Sequence, residues 1–397
     1  MILNNLSKGG INRLVFINFY FSLGLLSFVP NITDLSSLYF IFSLSLIFFI
    51  TIYNLIKKPI VDSYSLLALV FVFNLAFFNS IVALNNGTSV GEYLRALVPF
   101  IFILFYIPIF TLMKKDAENI LLMLLLSALV WSVKIYVMYI SDLMLVFSGG
   151  LGRLTYVSTE LLIPFGLIGF ILSIYILNSF KLKLVFCSIF FVLIIASGYR
   201  AHLLLCIAVF LFYIRFWNSI FGLGLFLLSL LFGFFLLVSD ANIIELFVDR
   251  ITKGSSGDTV RENEISYALN QFILSPIWGQ GLGNPVPIEV TRTDNMLDFF
   301  EKSSVSYIHN FFYYFLMNTG ITGTSIMLLT FLGPVVSVLI RKGGDCLDRH
   351  VNECACVAII CLVAFFFVSA SFRQIQMMIC MATLISVITN NKRSDNV

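Results

Sequence analysis

The strongest constraint on the fold is a series of apolar segments about 20 residues long, each followed by a polar connection. A helix of that length crosses roughly 30 Å of hydrocarbon. Only 11% of the residues are charged and 59% are apolar, whereas a soluble domain has about 25% and about 45–50%. The sequence therefore predicts an all-α, polytopic integral membrane protein. It excludes a cytosolic enzyme, a nucleic-acid-binding protein and a disordered chain.

The apolar segments predict about twelve transmembrane helices. They lie near residues 14–29, 35–56, 64–84, 94–113, 120–140, 160–178, 184–198, 201–217, 219–238, 324–340, 355–371 and 374–390. The segments 184–198 and 201–217 are short and are separated by a polar break that contains Arg200. We expect two helices there, because an arginine costs about 2.5–3.5 kcal/mol at the centre of a bilayer.

The distribution of basic residues predicts the topology, because cytoplasmic loops carry an excess of Lys and Arg. With the N-terminus inside, the paired basic clusters all fall on the cytoplasmic side: Lys57-Lys58, Lys114-Lys115, Lys181-x-Lys183, Arg341-Lys342 and Lys392-Arg393. We therefore expect both termini to be cytoplasmic. The chain then divides into a bundle of about nine spans over residues 1–238, a large loop over 239–306 on the opposite side, and a bundle of about three spans over 307–397 with a short helix from residue 307 before them.

The loop of residues 239–306 is the longest polar connection, and we expect short amphipathic helices within it. Thr259-x-x-Glu262 is typical of a capping box at a helix N-terminus. Apolar residues follow at helical spacing until Pro276, which predicts a helix over 260–274 that lies on the outer membrane face. A second, shorter element just before it is indicated by Ile244, Phe247, Val248 and Ile251.

Sequence signatures of nucleotide-dependent and metal-dependent enzymes are absent from the chain. It contains no P-loop, no H-E-x-x-H and no G-x-S-x-G motif. Glu262 and Glu264 lie two residues apart on the predicted helix and face different ways, so they do not form a ready catalytic pair. Gly279-x-Gly281-x-Gly283 lacks the strand and the helix of a dinucleotide-binding motif and predicts a tight loop. We therefore expect neither a metal site nor a cofactor.

Arginines near the predicted outer ends of the spans are the first candidate binding residues. They are Arg95, Arg153, Arg200 and Arg373. Each alone is explained by snorkelling to the lipid headgroups. Together with Arg261, at the start of the amphipathic helix, they predict an anionic ligand, because a guanidinium presents two donors to two phosphate oxygens. Lys134 and Arg292 are further candidates for this site, with snorkelling as the alternative for Lys134.

His309 is the candidate catalytic residue. Of the three histidines, it is the one predicted at the outer face, since His202 lies within a span and His350 is cytoplasmic. A lone histidine is often structural, but the dipole of a helix that begins here would disfavour the protonated form. A neutral imidazole can accept a proton as a general base. The neighbouring Asn310 is a further candidate for the site.

Three sequence blocks in order resemble the bacterial O-antigen polymerase (Wzy type) and O-antigen ligase superfamily. They are Ala196–Arg200, then Arg261 with Ser275–Asn284, and finally His309-Asn310 with Gly320–Gly323. The resemblance covers roughly residues 190–340. One departure concerns the aromatic residue that often follows the loop arginine, which corresponds to Ile265 or Tyr267 here.

The resemblance implies a metal-independent, inverting glycosyltransferase of lipopolysaccharide biosynthesis, in the bacterial inner membrane and with a periplasmic active site. The donor would be an oligosaccharide on a polyprenyl diphosphate such as undecaprenyl diphosphate, and the lipid diphosphate would be the leaving group. His309 would deprotonate a sugar hydroxyl. The diphosphate ligands would be Arg200, Arg261, Arg153 and Arg95, with Asn310, Arg373, Arg292 and Lys134 as further candidates. The implied partners are the lipid-linked oligosaccharide as donor and acceptor, membrane lipid and a chain-length regulator protein.

Several functions remain open at this level. A polymerase joins lipid-linked repeat units, whereas a ligase transfers finished polymer to lipid A core. The sequence has no decisive mark between them, and the character of the loop and of the aromatic segment at His309 favours the polymerase. A flippase or another transporter is disfavoured, because transporters place charges near the midplane in repeated, interrupted helices. If His309 only orients the acceptor, another group must take up the proton. Glu262 and Glu264 are then the nearest candidates in the sequence.

Overall fold

The computed structural model describes nine stretches of the chain: residues 10–27, 33–57, 62–113, 116–147, 164–197, 200–216, 256–291, 304–340 and 346–390. The predicted span at 219–238, the short element at 244–251, Arg153 and Arg292 lie outside the described residues. For Arg200 the structure describes the backbone alone.

The described chain is almost entirely helical, which confirms the predicted all-α membrane fold. Its α-helices are α1 (Gly10–Leu25), α2 (Leu35–Lys57), α3 (Ser63–Phe73), α4 (Asn79–Asn85), α5 (Val90–Ile101), α6 (Tyr106–Leu112), α7 (Ala117–Met138), α8 (Ile140–Phe147), α9 (Phe165–Ile176), α10 (Phe180–Ser197), α11 (Arg200–Phe216), α12 (Ser256–Leu274), α13 (Ile288–Thr291), α14 (Phe311–Ile340), α15 (Cys346–Phe366) and α16 (Ile375–Asn390). A π-helical turn, Asn74–Phe78, joins α3 to α4, and 3₁₀ turns occupy Phe102–Phe105 and Ala370–Arg373.

Six helical runs of the described chain are long and apolar enough to cross a membrane. They are Leu35–Ile56, Ser63–Asn85, Val90–Leu112, Ala117–Met138, Phe180–Ser197 and Phe311–Ile340. Shorter apolar helices cover Phe165–Ile176, Ala201–Tyr213, His350–Phe366 and Ile375–Asn390. Ten of the twelve predicted segments overlap these helices. The segment 14–29 overlaps α1, which is not among them, and 219–238 lies outside the described residues. The predicted span at 324–340 is the second part of a longer helix that begins at Phe311, because the aromatic residues after His309 are already helical.

Two helices form the centre of the bundle. Every residue of α9 is buried, and so is every residue of α16 from Gln376 to Asn390. A helix without an exposed face belongs inside a protein. The central α9 contacts α7 and α10, while α16 contacts α7, α15 and the turn at Phe102–Phe105. By contrast, α2 leaves Leu35 and Phe49 largely exposed, as expected of a helix that faces lipid.

An ion pair and a hydroxyl hydrogen bond mark one end of the bundle. Arg13 and Asp116 form an ion pair there, with Nη2 2.6 Å from Oδ1. The hydroxyl of Tyr106 donates a hydrogen bond to Asp62 at 2.7 Å. This is the end at which the sequence predicts the cytoplasmic basic residues.

At the opposite end, α14 is interrupted and a loop closes the interruption. Gly320 has φ 61° and ψ −165°, which ends the regular helical hydrogen bonding. The loop of residues 275–284 pairs with the backbone groups that the break releases: Gln280 N–H with Met317 O (2.8 Å), Gly281 N–H with Asn318 O (2.8 Å) and Ile321 N–H with Pro276 O (2.9 Å). Buried backbone polar groups need hydrogen-bond partners, so the loop stabilises the break.

Glycines give this loop its path. Gly279, Gly281 and Gly283 have φ values of 72°, 93° and 79°, which confirms the predicted tight loop. At Gly279 a Cβ atom would also overlap the backbone of Asn318. Glycine is therefore required at this position both by conformation and by the close approach to α14.

A two-stranded ribbon leads from the loop to His309. β1 (Val286–Pro287) pairs antiparallel with β2 (Ser304–Val305), with Val286 opposite Val305. The ribbon holds together the two ends of the segment between the strands. It places the residues that follow β2, including His309, beside the loop.

Candidate functional site

Helix α12 packs against α14 and presents one row of side chains to the protein. Val260, Glu264 and Ala268 are buried at intervals of four residues, the spacing that aligns side chains along one helix face. Two apolar residues near the end of the helix, Ile273 and Leu274, are 70% and 73% exposed. The face that contacts the protein is therefore centred on the Glu264 carboxylate, while these two apolar residues lie outside it.

The predicted helix over 260–274 is confirmed, but its predicted N-terminal cap is wrong. The helix begins at Ser256, so Thr259 lies inside its first turns and not at the N-cap position. Helical hydrogen bonding extends upstream of the pattern from which the cap was predicted.

Side-chain hydrogen bonds fix α12 to the neighbouring loop. The Tyr267 hydroxyl donates to the carbonyl oxygen of Pro285 at 3.4 Å, and Nε2 of Gln280 donates to the carbonyl oxygen of Gln271 at 2.9 Å. Partial burial raises the pKa of Tyr267 above its ordinary value, so the hydroxyl keeps its proton at neutral pH.

Glu264 and His309 form the central pair of the site. Oε1 of Glu264 lies 2.7 Å from Nδ1 of His309, and Oε2 accepts the main-chain N–H of His309 at 2.8 Å. The Glu264 side chain is fully buried, whereas the His309 side chain is 30% exposed. A buried carboxylate needs hydrogen-bond donors to offset its lost hydration, and a single residue supplies two of them.

Asn310 anchors the backbone next to His309. Its Oδ1 accepts the N–H of Tyr313 at 3.2 Å, which is the hydrogen bond of a helix N-cap, here that of α14. Its Nδ2 donates to the carbonyl oxygen of Phe367 at 3.1 Å. Both ends of the amide are therefore engaged by the protein, and Asn310 ties α14 to the connection between α15 and α16.

Arg261 reaches the same connection from α12. It precedes Glu264 by three positions, so the two side chains are neighbours on the helix surface. Its Nη2 donates to the carbonyl oxygen of Val368 at 3.4 Å, and Asn310 contacts the carbonyl of the preceding residue. The connection of residues 367–374 is thus the common neighbour of Arg261 and the start of α14.

Arg373 lies at the end of this connection, between two tyrosine rings. Its guanidinium carbon is 5.3 Å from the ring centre of Tyr307 and 5.9 Å from that of Tyr314, as in cation–π contacts. Its Nη2 is 3.4 Å from Oγ of Ser306, and its buried Nε has no hydrogen-bond acceptor in the described part of the chain. The Tyr307 ring in turn lies 5.7 Å from the ring of His309, edge to face.

These side chains form what we call the His309 cluster, which comprises Arg261, Glu264, Tyr307, His309 and Arg373. Nδ1 of His309 is paired with Glu264, and among the described residues Nε2 makes no hydrogen bond. The ring can therefore accept a proton at Nε2. The two guanidinium groups can bind an anionic group nearby. In the described residues no three His, Cys, Asp or Glu side chains are grouped as a metal site.

The structure gives positions for some of the other predicted binding residues. Arg95 is exposed on α5, and Lys134 is half-buried on α7. Arg200 begins α11, where the structure describes its backbone alone. Arg153 and Arg292 lie outside the described residues. Their participation in the site remains a prediction.

Glu264 and Tyr307 are the members of the cluster that the sequence does not assign to it. Glu264 precedes His309 by 45 residues, so no periodic pattern connects them. The sequence does place Glu264 on the same helix face as Val260 and Ala268, and this face is buried in the structure. A carboxylate between two apolar residues on one face was the signal that could have identified it.

Comparison with known proteins points to the same part of the chain. A family model described as O-antigen ligase matches residues 184–328. The matched region contains α12, the glycine loop and the start of α14. It includes Arg261, Glu264 and His309, and it ends before Arg373. A search of curated proteins finds no match.

Proposed function

We propose that this chain, whose residues 184–328 match a family model described as O-antigen ligase, is an O-antigen polymerase. It would join polyprenyl-diphosphate-linked oligosaccharide repeat units at the periplasmic face of the inner membrane. The observation that carries this proposal is the contact of buried Glu264 with partly exposed His309. It leaves one imidazole nitrogen available for proton transfer, in a cluster with two arginines.

The proposed reaction is a displacement at the anomeric carbon of the donor sugar. Nε2 of His309 accepts the proton of an acceptor sugar hydroxyl as that oxygen bonds to the anomeric carbon. The bond from this carbon to the diphosphate oxygen breaks, and its electron pair leaves with the lipid diphosphate. Attack from the face opposite the leaving group inverts the configuration of the sugar.

The leaving diphosphate requires positive charge, which arginines can supply without a metal ion. Arg261 lies one helical turn from the carboxylate that contacts His309, and Arg200 is the arginine of the first sequence block. We assign these two to the donor diphosphate, because fixed guanidinium donors stabilise charge that develops on phosphate oxygens. Arg95 and Arg153 are retained as further ligands of the same group.

Arg373 is proposed to bind the second anionic substrate group. In a polymerase the acceptor is also linked to a lipid diphosphate, so two anionic groups must be accommodated. The Nε of Arg373 is buried without an acceptor among the described residues, and a guanidinium has five N–H donors. Tyr307, between Arg373 and His309, offers an aromatic surface beside the base.

The experiment that tests the function is the lipopolysaccharide pattern of a deletion strain on a gel. Lipid A core with a single repeat unit identifies a polymerase. Core without repeats, together with accumulated lipid-linked polymer, identifies the alternative, an O-antigen ligase. An unchanged ladder would contradict both enzymatic functions.

A transporter of lipid-linked oligosaccharides is the less favoured alternative. Transporters hold their substrates near the membrane midplane, whereas the His309 cluster lies at one end of α14, next to its N-terminal cap. Accumulation of lipid-linked repeat units on the cytoplasmic side in the deletion strain would favour the transporter.

A further inference from the structure

We infer that Glu264 is a positioning residue that holds His309 in the tautomer with the proton on Nδ1. The inference rests on the proposed role of His309 as the base and extends it to a residue that does not touch the substrate. Nothing in the sequence motifs marks Glu264 for this role.

Both oxygens of Glu264 are occupied by one residue, and this sets the direction of each hydrogen bond. The main-chain N–H of His309 can only donate, so Oε2 of Glu264 is an acceptor. In an ionised carboxylate Oε1 is an acceptor too, so Nδ1 of His309 must carry the proton. A neutral imidazole has a single N–H, and Nε2 therefore keeps the lone pair that a base requires.

The same two contacts orient the imidazole ring. The bond to the main-chain N–H positions the carboxylate relative to the backbone from which the ring projects. The ring is further restrained by the edge-to-face contact with Tyr307, at an interplanar angle of 82°. The cap formed by Asn310 fixes the next residue of the chain. Orientation of this kind contributes to catalysis because proton transfer needs an aligned acceptor.

An amide at position 264 separates this role from simple packing. Gln has nearly the shape of Glu but only one acceptor atom, so it cannot accept both hydrogen bonds. If its NH₂ group faces Nδ1, the proton of the imidazole moves to Nε2 and the ring is no longer a base there. If the NH₂ group faces the main-chain N–H of His309, two donors oppose each other and a buried contact is lost.

The decisive measurement is steady-state sugar transfer by the purified full-length protein, with lipid-linked repeat units as substrate. We expect Glu264→Gln to lower kcat by about 10²–10⁴-fold, the range for a positioned acid–base group, with the KM for the donor unchanged. Glu264→Asp keeps two acceptor oxygens and should recover part of the loss. The control is Glu289→Gln, which removes the same charge from an exposed position of α13 and should retain wild-type kcat.

A spectroscopic measurement tests the tautomer independently of the variants. In ¹⁵N-histidine NMR spectra of the wild-type protein, with His309 assigned by its loss in His309→Asn, the Nδ1–H tautomer is expected at neutral pH. The Nε2–H tautomer there, or wild-type kcat in Glu264→Gln, would overturn the inference. A fully active His309→Ala would instead contradict the proposed function itself, so the two failures are distinguishable.

Discussion

Gly320 and Ile277 are in direct contact, and the carbonyl oxygen of Ile277 occupies the space that a Cβ atom on residue 320 would need. Gly320 also has a positive φ of 61°, which L side chains rarely adopt. Two motifs that are separate in the sequence, the glycine loop and the Gly320–Gly323 segment, therefore form one structural unit.

This contact predicts that Gly320→Ala is strongly destabilising. The strained backbone costs about 1–3 kcal/mol, and the overlap with Ile277 adds about 1–3 kcal/mol. Thermal unfolding of the detergent-solubilised protein would measure the loss. Gly333→Ala is the matched control in the same helix, because no atom lies within 4 Å of its added Cβ, and it should leave the unfolding temperature unchanged or raised. Equal unfolding temperatures for the two variants would contradict the prediction.

Replacement of His309 should remove catalysis while donor binding persists. We expect His309→Ala to lose about 10²–10⁴-fold in activity, because the diphosphate is assigned to arginines and not to the imidazole. His309→Gln should not restore activity, since an amide can form hydrogen bonds but cannot take up the proton. The measurements are the polymer ladder and the retention of labelled donor by the membrane-embedded variant. Near-normal polymer from His309→Gln would mean that His309 only orients the acceptor.

Loss of either donor arginine should abolish polymer. Arg200→Ala and Arg261→Ala are expected to leave the protein in the membrane but to remove the ladder. Lysine at either position should restore little, because it supplies the charge without the planar pair of donors. Lys181→Ala, an exposed residue at the predicted cytoplasmic end, serves as the control for charge removal. Normal ladders from both alanine variants would indicate that these arginines only snorkel.

Arg373 and Tyr307 should affect acceptor binding more than catalysis. A hydrogen bond to a charged group contributes about 1.5–3 kcal/mol, so Arg373→Ala should raise the KM for the acceptor by about 10–150-fold. Tyr307→Phe keeps the ring beneath the guanidinium and should have little effect, whereas Tyr307→Ala should raise KM. The acceptor dependence of the initial rate measures these changes. An unchanged acceptor KM in Arg373→Ala would exclude it from the site.

The predicted topology places the His309 cluster at the periplasmic face. Reporter fusions after residues 117, 182 and 343 should give cytoplasmic signals, and a fusion at residue 256 should give a periplasmic signal. The physical basis is the location of every paired basic cluster on one side. A cytoplasmic signal at residue 256 would place Arg261 and His309 on the wrong side for the proposed reaction.

The sequence by itself determined the helical membrane fold, because the length and apolarity of a segment are local properties. It also predicted the tight turn at Gly279–Gly283, since the lack of a flanking strand and helix is visible locally. His309 and Arg261 were predicted for a similar reason. Their residue types are rare in an apolar chain, so their positions beside predicted spans were informative without knowledge of any contact.

Only the tertiary structure decided which residues meet. The sequence placed Glu264 on a helix, but its burial and its two hydrogen bonds to His309 depend on how α12 packs against α14. Likewise, Arg373 reaches Tyr307 because the connection after α15 lies beside the start of α14. Hydropathy describes the preference of each segment for lipid or water and contains no information on its neighbours. The partner of a buried charge is therefore set by packing between distant segments, and it became visible only in the folded chain.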